Sequence, residues 1–575
     1  MTVHFERSFF GADSLVTTIG RGAIGGKAQG LVTVASAVRE GLPPERFPGV
    51  TVGIPRFTVL TTEVFDTFME QNSLWELPWS ALRDDRIAAA FLRGELPPRW
   101  LGDLRALSLE VTVPLAVRSS SLLEDALFRP FAGVYSTKMI PNHEPSPDER
   151  FRNLVQAIKL VWASTFFVDA RRYRASIGVP DGDEKMAVMI QEVVGHRRYD
   201  RFYPTLSGVA RSWNYYATER GRAKDGVVDL ALGLGKTIVG GGLVWSYSPA
   251  RPNAPPPYNS TRDMLQNTQT GFWAVRMTRQ ETHDPIREDE FLVRGGLAQA
   301  EYDDMLRFVA STLDPRTGRV VPGIGVMGPR LMDFAPLLKW DEVPVNGVIR
   351  ALLEACEDKL GTAVEIELAA TLERRKGTPA KVGLLQVRPM VVSNEGVDVR
   401  PELLHDEAAI VASDNVLGHG RRTDIADIVL VRPESFARES THAIARELER
   451  INDKLVEERR PYLLVGFGRW GSSDPWAGIP VTWGQIAGAR VIVEAPLEGV
   501  EPEPSQGSHF FHNVTSFRVA YFTLRSRAPS RVDWAWLAAQ PAMSAGPYVS
   551  HLRLPQPLEL RVDGNTGKGV VLRHA

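Results

Sequence analysis

The chain has 575 residues, of which 43% are hydrophobic and 24% charged, and its formal net charge is −2. Single hydrophobic cores stop growing near ~250–300 residues, so this length predicts two or three folded domains. The near balance of acidic and basic side chains excludes an overall field that would attract nucleic acid or an anionic membrane, and any phosphate binding must be local.

The N-terminal stretch MTVHFERSFF lacks the basic start, apolar run and small-residue cleavage site of a secretory signal. No apolar run approaches the ~18–20 residues that span a bilayer. Cys356 is the single cysteine, so no disulfide can form within the chain and a reducing compartment is compatible. These features predict a cytoplasmic protein.

Residues 25–40 (GGKAQGLVTVASAVRE) predict a glycine turn followed by an amphipathic helix. The small residues before Lys27 would let backbone amides and its ammonium group approach the same phosphate. The spacing is not that of a P-loop, which requires GxxxxGK followed by Ser or Thr. The competing interpretation is a solvent-exposed lysine at the start of a helix.

Residues 113–125 (VPLAVRSSSLLED) predict a short strand ending near Arg118, then a serine-rich turn and an acidic stretch with helical character. A permanently charged guanidinium among hydroxyl donors suits a polyphosphate. A surface Arg118 paired with Glu124 is the alternative.

Buried strands are predicted for residues 186–194 and 227–232, and the second strand opens into GLGKTIVGGG. The glycines of this loop, among them Gly233 and Gly235, could form a backbone cradle for phosphate, although glycine clusters also form ordinary loops. Turn-forming residues at 394–401 predict the main domain boundary.

The last segment with candidate functional residues before that boundary is a predicted β-hairpin, formed by AVEIELAA and GLLQVRPMVV. If the strands pair symmetrically about their connection, Glu367 lies opposite Gln386 and Glu365 lies opposite Arg388, all on one face. Carboxylate and amide oxygens suit Mg²⁺, and arginine offers a forked donor to phosphate. A hairpin with one solvated polar face is the competing interpretation.

Together and in this order, these segments resemble the nucleotide-binding domain of the pyruvate phosphate dikinase and phosphoenolpyruvate synthase family. The resembling motifs span residues 15–395 and read GGKAQGL, AVRSSSLLED with a following FAG, VMIQEVV, LSGVA, LALGLGK and GLLQVRPM. The resemblance implies an α/β (α+β) fold of the ATP-grasp type and an activity that uses ATP and Mg²⁺.

The resemblance also implies roles for single residues. Contacts to ATP are implied for Lys27, Arg118, Gln191, Gly233, Gly235 and Arg388. In this assignment Gln191 lies beside the adenine, and Arg388 reaches the terminal phosphate. The implied magnesium ligands are Glu367 and Gln386, and Arg118 and Arg388 are the implied catalytic cations.

Two features depart from the family pattern. The glycine loop usually reads GLGE in the family, whereas Lys236 follows Gly235 in this chain. The ~180 residues after the predicted boundary leave no room for a pyruvate-handling barrel of ~200–250 residues beside another domain. The pyruvate reaction is therefore not implied.

The predicted domains are residues 1–215 and 216–395, as two ATP-grasp subdomains, and residues 396–575, as a smaller α/β domain. A phosphohistidine carrier needs an exposed imidazole at a glycine turn or helix start, and the GSH sequence at His509 fits this setting. His442 has flanking letters closer to the family's carrier motif, but its context predicts a continuous helix surface.

We therefore expect an ATP- and Mg²⁺-dependent phosphotransferase of the dikinase type, with His509 as a third catalytic candidate and an unknown phosphoryl acceptor. No nucleic-acid or membrane partner is expected. The alternatives are a nucleotide-sensing module that has lost transfer chemistry and an ATP-grasp ligase that joins a carboxylate to an amine.

Overall fold

The computed structural model has helices and several sheets, which confirms the predicted α/β (α+β) class. The structure describes residues 3–5, 15–124, 133–176, 178–214, 222–254, 261, 264–265, 268–279, 283–373, 378–390, 397–471, 478–496, 514, 519–526, 528–564 and 566–573. Within these ranges no helix combines the length and apolarity needed to cross a membrane.

The first sheet has six strands. In spatial order they are β1 (Val3–His4), β2 (Val16–Ile19), β4 (Phe57–Leu60), β7 (Met186–Glu192), β5 (Leu115–Ser121) and β6 (Thr137–Ile140). Strands β4 and β7 are buried along nearly their whole length, as expected for largely apolar runs that are covered on both faces. Strand β5 is buried to the same extent, although its second half is polar.

The second sheet also has six strands and carries the predicted hairpin. In spatial order they are β12 (Trp245–Tyr247), β11 (Val227–Ala231), β10 (Leu206–Arg211), β18 (Val364–Thr371), β19 (Ala380–Pro389) and β3 (Val50–Gly53). The sheet takes β3 and β10 from residues before position 215 and the other strands from residues after it. Backbone pairing therefore does not follow the limit between residues 1–215 and 216–395, and that division stays a prediction.

Two small sheets complete the first 390 residues. The four-stranded sheet consists of β14 (Leu292–Gly296), β13 (Gly271–Arg276), β9 (Arg201–Tyr203) and β8 (His196–Arg198). The three-stranded sheet consists of β16 (Val320–Pro322), β15 (Ala310–Leu313) and β17 (Arg330–Met332).

The helices pack on the faces of these sheets. In chain order they are α1 (Gly25–Gly41), α2 (Thr62–Gln71), α3 (Asp84–Arg93), α4 (Pro98–Glu110), α5 (Pro147–Ser164), α6 (Val168–Ser176), α7 (Lys236–Val239), α8 (Leu297–Tyr302), α9 (Ala335–Leu338), α10 (Val345–Leu360), α11 (Thr441–Glu457) and α12 (Trp534–Ala539). Helix α5 begins with proline after a serine cap, and α10 ends at Gly361, which adopts a φ of 68°. Cys356 is buried on the apolar face of α10.

Residues after position 408 build a separate ten-stranded sheet. Its path is β21 (Val416–Leu417), β27 (Ala520–Thr523), β26 (Ala489–Ala495), β23 (Tyr462–Phe467), β22 (Gly420–Val431), β30 (Val549–Asp563), β31 (Lys568–Leu572), β20 (Ala409–Ser413) and β28 (Arg531–Val532), with β29 (Ala542–Ala545) on β30. A two-stranded sheet pairs β24 (Arg469–Trp470) with β25 (Gly478–Ile479).

The C-terminal region packs against the helices of the N-terminal region. One hydrophobic core contains Phe68 and Trp162 together with Ile444 and Leu448 of α11. At this contact the Arg172 guanidinium forms ion pairs with two carboxylates of α11. The two regions therefore share buried apolar surface as well as charged contacts.

Candidate functional site

A cavity of about 560 Å³ brings together most of the residues singled out in the sequence. Its lining includes Lys27, Arg118, Gln191, Gly235 and Glu367, which come from five separate segments of the chain. This volume lies within the ~300–1,000 Å³ typical of small-molecule sites. Among the described residues, Gly233, Gln386 and Arg388 lie behind the lining rather than in it.

Lys27 lies in the first turn of α1, which packs closely on β5. A Cβ atom on Gly25 would lie 1.6 Å from the carbonyl oxygen of Ser120, so the approach of the helix requires glycine there. The Lys27 ammonium lies 2.5 Å from Glu124 Oε1 and donates to Ser119 Oγ at 2.9 Å. Only 6% of the residue is exposed, so the alternative of a solvent-exposed lysine is wrong.

The serines after Arg118 lie inside β5, because the strand continues to Ser121 instead of ending near Arg118. Ser119 Oγ donates to Glu124 Oε1 at 2.8 Å, and Ser120 Oγ donates to the carbonyl of Ile24 at 2.8 Å. Ser121 Oγ accepts from the backbone amides of Leu123 and Glu124. The expectation that these hydroxyls face a polyphosphate is wrong, because buried hydrogen bonds within the protein engage all of them.

The Arg118 guanidinium reaches the hairpin formed by β18 and β19. Its Nη2 donates to Gln386 Oε1 at 2.6 Å and to Glu367 Oε2 at 3.3 Å. Its Nη1 donates to Gln191 Oε1 at 3.2 Å and to the carbonyl of Leu385 at 3.0 Å. The alternative pairing of Arg118 with the nearby acidic residue of its own segment is wrong, since that carboxylate belongs to Lys27.

The register of the hairpin confirms the predicted cross-strand pairs, Glu367 with Gln386 and Glu365 with Arg388. The symmetry ends there, because a bulge shifts the pairing between Glu367 and the next residue. Arg388 Nη2 donates to Glu367 Oε1 at 2.8 Å, and its Nη1 lies 3.6 Å from Glu365 Oε1. The side chain of Arg388 is 1% exposed, so the alternative of a solvated polar face is wrong.

The buried charges continue from the hairpin into β10. Arg211 Nε donates to Glu365 Oε2 at 2.7 Å, and Arg211 Nη1 donates to Asp229 Oδ2 at 3.0 Å. Burial works to lower the pKa of the Arg211 guanidinium, but the carboxylates of Glu365 and Asp229 outweigh it and raise that pKa. Alternating cations and carboxylates thus run from Arg118 to Asp229, and they fix Glu367 at the cavity wall.

Comparison with known protein families agrees with the phosphate-binding chemistry of the residues that line the cavity. Residues 21–408 match the family described as pyruvate phosphate dikinase, AMP/ATP-binding domain. The chain belongs to this family. The family membership predicted from the motifs is therefore confirmed, and with it the ATP-grasp type of nucleotide-binding fold.

Two relatives of this dikinase-family chain are similar over part of their length. The phosphoenolpyruvate synthase of Aeropyrum pernix is 24% identical over 397 residues, which cover 64% of this chain and 40% of that protein. The probable phosphoenolpyruvate synthase of Staphylothermus marinus is 32% identical over 127 residues, 22% of this chain and 13% of that protein. The match thus spans less than half of either relative.

The family fold implies a magnesium ion, and the oxygens beside Arg118 suit one. Glu367 and Gln386 each place a side-chain oxygen on the same guanidinium nitrogen, so a cationic group already lies between them. Carboxylate and amide oxygens are ligands that Mg²⁺ accepts, with water and substrate phosphates completing its shell. In the described ranges no three His, Cys, Asp or Glu side chains cluster as a metal site.

Gln191 offers a further polar group to a ligand. Its Nε2 is buried and has no hydrogen-bond partner among the described residues, while its Oε1 accepts from Arg118. An unpaired buried amide donor costs free energy unless a ligand or water satisfies it. The two N–H donors of the Gln191 amide are therefore left for a bound molecule.

The glycine loop after β11 docks on β13. Gly233 adopts a φ of 80°, and a Cβ atom there would lie 2.7 Å from the carbonyl oxygen of Trp273. Leu234 donates its backbone N–H to that same carbonyl at 2.9 Å. Gly233 thus serves the close approach of the loop, while Gly235 lines the cavity.

A buried acid lies behind the cavity, and the motif analysis missed it. Burial raises the pKa of the Glu184 carboxyl to about 7, and the charge of Glu124 adds to this shift while Arg174 opposes it. Burial also raises the pKa of the Tyr135 hydroxyl, which lines the cavity. Glu184 falls between a proline-containing turn and β7, so no sequence pattern marked it.

Of the two histidine candidates in the C-terminal region, the structure describes one. His509 lies outside the described residues. His442 is exposed in the first turn of α11, as the helical pattern predicted.

Proposed function

We propose that this chain is an ATP- and Mg²⁺-dependent phosphotransferase of the dikinase type. The observation that carries the proposal is the convergence of Lys27, Arg118 and Glu367 on one cavity, with Gln386 directly behind. Phosphoryl transfer depends on positioning and on neutralising phosphate charge rather than on covalent chemistry by the protein. Cations and metal-ligand oxygens at one wall are the groups that such a reaction needs.

In this proposal Lys27 and Arg118 bind the phosphates, and Gln191 bonds to the adenine through its free Nε2. When bound, Mg²⁺ would neutralise negative charge that develops on the phosphates. For the metal to be held by Glu367 and Gln386, the Arg118 guanidinium must leave the same two oxygens. Arg118 would then turn from the hairpin to the phosphates.

Arg388 takes a modified role in this proposal. Its guanidinium is 1% exposed and lies between Glu365 and Glu367, so it positions the Glu367 carboxylate in the described conformation. Direct contact with the terminal phosphate, as the resemblance implies, would require Arg388 to exchange one of these carboxylates for the ligand.

Incubation of the purified chain with ATP labelled separately at the β- and γ-phosphates tests the proposed activity. A dikinase-type enzyme forms AMP and labelled phosphate only when magnesium is present. ATP binding without AMP or labelled product would instead indicate a sensing module. ADP release that depends on an added carboxylate and amine would indicate a ligase.

We also propose His509 as the phosphoryl carrier of residues 396–575. The support is its glycine–serine setting, which suits a phosphorylated imidazole. Peptide mapping of acid-labile label from ATP tests this role. Label on His509 supports it, label on His442 transfers the role to α11, and label on neither residue rejects a histidine carrier at both places.

A further inference from the structure

Lys236 is a cation at the cavity that the proposed function leaves without a role. It begins α7, directly after the glycine loop, and lines the cavity with Gly235 and Thr237. Its ammonium lies 5.6 Å from the ring centre of Trp273, another lining residue. The loop therefore adds a positive charge to a wall built from different elements than the one that carries Arg118.

The contacts of Lys236 differ from those of Lys27 and Arg118. Each of those two cations already forms an ion pair with a carboxylate. Lys236 forms no ion pair and no hydrogen bond with any residue in the described part of the chain. Glu288, which lines the same cavity, interacts with Lys236 only through longer-range electrostatics. The charge of Lys236 is thus available to a ligand in a way that the other two charges are not.

Two further donors accompany Lys236. The hydroxyl oxygen of Thr237 is buried and has no hydrogen-bond partner among the described residues. Arg294 lines the cavity too, and it lies directly opposite Trp273 in the pairing of β13 with β14. Directly opposed residues share a face of a sheet, so Arg294 lies on the same face as Trp273, whose ring neighbours Lys236. An ammonium, a hydroxyl and a guanidinium together form a donor set for a phosphate group.

The position of the loop separates this set from the oxygens of the hairpin. A Cβ atom on Gly235 would lie 3.8 Å from the Cβ of Ser207, so the loop lies over that residue. Ser207 pairs with Ala369 on β18, and Ala369 follows Glu367 by two positions on the same face. At a strand rise of ~3.3 Å per residue, Glu367 and the position of β18 that lies next to the loop are about 7 Å apart along the strand. One polyphosphate ligand, or two separate anions, can occupy both.

We propose that Lys236, Thr237 and Arg294 form a second phosphate subsite in this cavity, distinct from the group around Arg118. The inference rests on the proposed function, because it adds to the same cavity. The ligand is a phosphate group, supplied either by the nucleotide itself or by free inorganic phosphate. The subsite adds affinity for the ligand and selects for an anion at that position. The hairpin supplies the oxygens that would bind the metal.

Calorimetric titration of the full chain tests the subsite, with adenosine, AMP, ATP and inorganic phosphate as the probes. The variants are Lys236→Gln and Thr237→Val. The matched control is Lys359→Gln, which removes an exposed lysine from α10. Loss of a charge-assisted hydrogen bond should weaken binding by about tenfold or more in Lys236→Gln. Thr237→Val should weaken it by a few-fold, because its lost hydrogen bond is neutral.

The pattern across the probes identifies the source of the phosphate. If the nucleotide supplies the phosphate, Lys236→Gln lowers the affinity for AMP or ATP and leaves the affinity for adenosine unchanged. If free phosphate is the ligand, Lys236→Gln lowers only the affinity for inorganic phosphate. Equal affinities of the wild type, Lys236→Gln and Thr237→Val for all of the probes would overturn the subsite.

The same titrations separate this inference from the proposed function. A wild-type chain that binds neither AMP nor ATP would reject the proposed function, while phosphate binding that depends on Lys236 would still support the subsite. A wild-type chain that binds ATP as tightly as Lys236→Gln does, with no phosphate effect, would reject the subsite alone. Thermal melting against the Lys359→Gln control shows whether each variant is folded, and Thr237→Val decides the matter if Lys236→Gln is not.

Discussion

Substitution Arg118→Gln should change the affinities for metal and for nucleotide in opposite directions. The guanidinium now holds Gln386 Oε1 at 2.6 Å and Glu367 Oε2 at 3.3 Å, which are the oxygens proposed for the metal. A hydrogen bond to a charged group contributes ~1.5–3 kcal/mol, so releasing one of them should strengthen divalent-cation binding about tenfold. ATP should bind about tenfold more weakly, because a phosphate contact of similar strength is lost.

Titration with Mn²⁺ in the absence of nucleotide, followed by electron paramagnetic resonance, measures the first effect, and calorimetry with ATP measures the second. The control Arg83→Gln removes a guanidinium whose side chain is 84% exposed and whose ion pair lies on the surface. It should leave both affinities unchanged. Unchanged or weaker Mn²⁺ binding by Arg118→Gln would refute the claim that Arg118 occupies the metal oxygens.

Other predictions follow from the same charges. Glu367→Gln should lower kcat by about 100-fold or more with little change in melting temperature, since its side chain is 18% exposed; steady-state AMP formation and a thermal melt check this. Arg388→Met should lower the free energy of unfolding by about 1.5–3 kcal/mol in urea titrations, because the charged hydrogen bond to Glu367 is lost while Arg211 still neutralises Glu365; a loss below ~1 kcal/mol would contradict the pairing. Glu184 has a folded-state pKa of about 7, above its unfolded value, so the folded chain keeps a proton that the unfolded chain loses as pH rises. The free energy of unfolding should therefore fall by up to about 3 kcal/mol from pH 4.5 to pH 7, and Glu184→Gln should remove most of that slope in denaturation curves.

The local chemistry of the hairpin could be predicted because it depends on a short-range rule. Side chains alternate along a strand, so the separation of Glu365, Glu367, Gln386 and Arg388 predicted two cross-strand pairs that the structure confirms. The bulge after Glu367 could not be predicted, since one extra residue in β19 leaves no signal in composition. That bulge matters, because the carbonyl of the extra residue accepts a hydrogen bond from Arg118.

Long-range pairing explains the errors at the other end of the cavity. The sequence analysis placed Arg118 among its own serines, with Glu124 as the alternative partner, yet Arg118 bonds to Glu367 and Gln386, which lie more than 240 positions away. Lys27 pairs with Glu124 instead, because Gly25 and Gly26 let α1 pack closely against residues 120–124. The strand limit was also three residues too short at Ser121, a typical error where polar side chains continue a buried strand. The Ser–x–x–Glu spacing from Ser121 to Glu124 was the signal that could have revealed the local hydrogen bonds.

Domain limits were less predictable than strand pairing. The ten-stranded sheet contains only strands from residue 409 onward, and the main boundary predicted at residues 394–401 stays a prediction. Inside the first 395 residues, however, β3 joins the second sheet although its neighbours β2 and β4 belong to the first. Tertiary packing determines which of the two sheets a short apolar strand joins, and the hydrophobic pattern of the sequence does not reveal it.

A crystal structure of the chain with a non-hydrolysable ATP analogue and Mn²⁺ tests the central claim most directly. The account predicts an anomalous metal peak bonded to Glu367 and Gln386, with the Arg118 guanidinium turned from these oxygens to the phosphates and Lys27 close to the same phosphates. An analogue bound in another cavity, or a metal held without Glu367 and Gln386 while Arg118 keeps its present contacts, would contradict it.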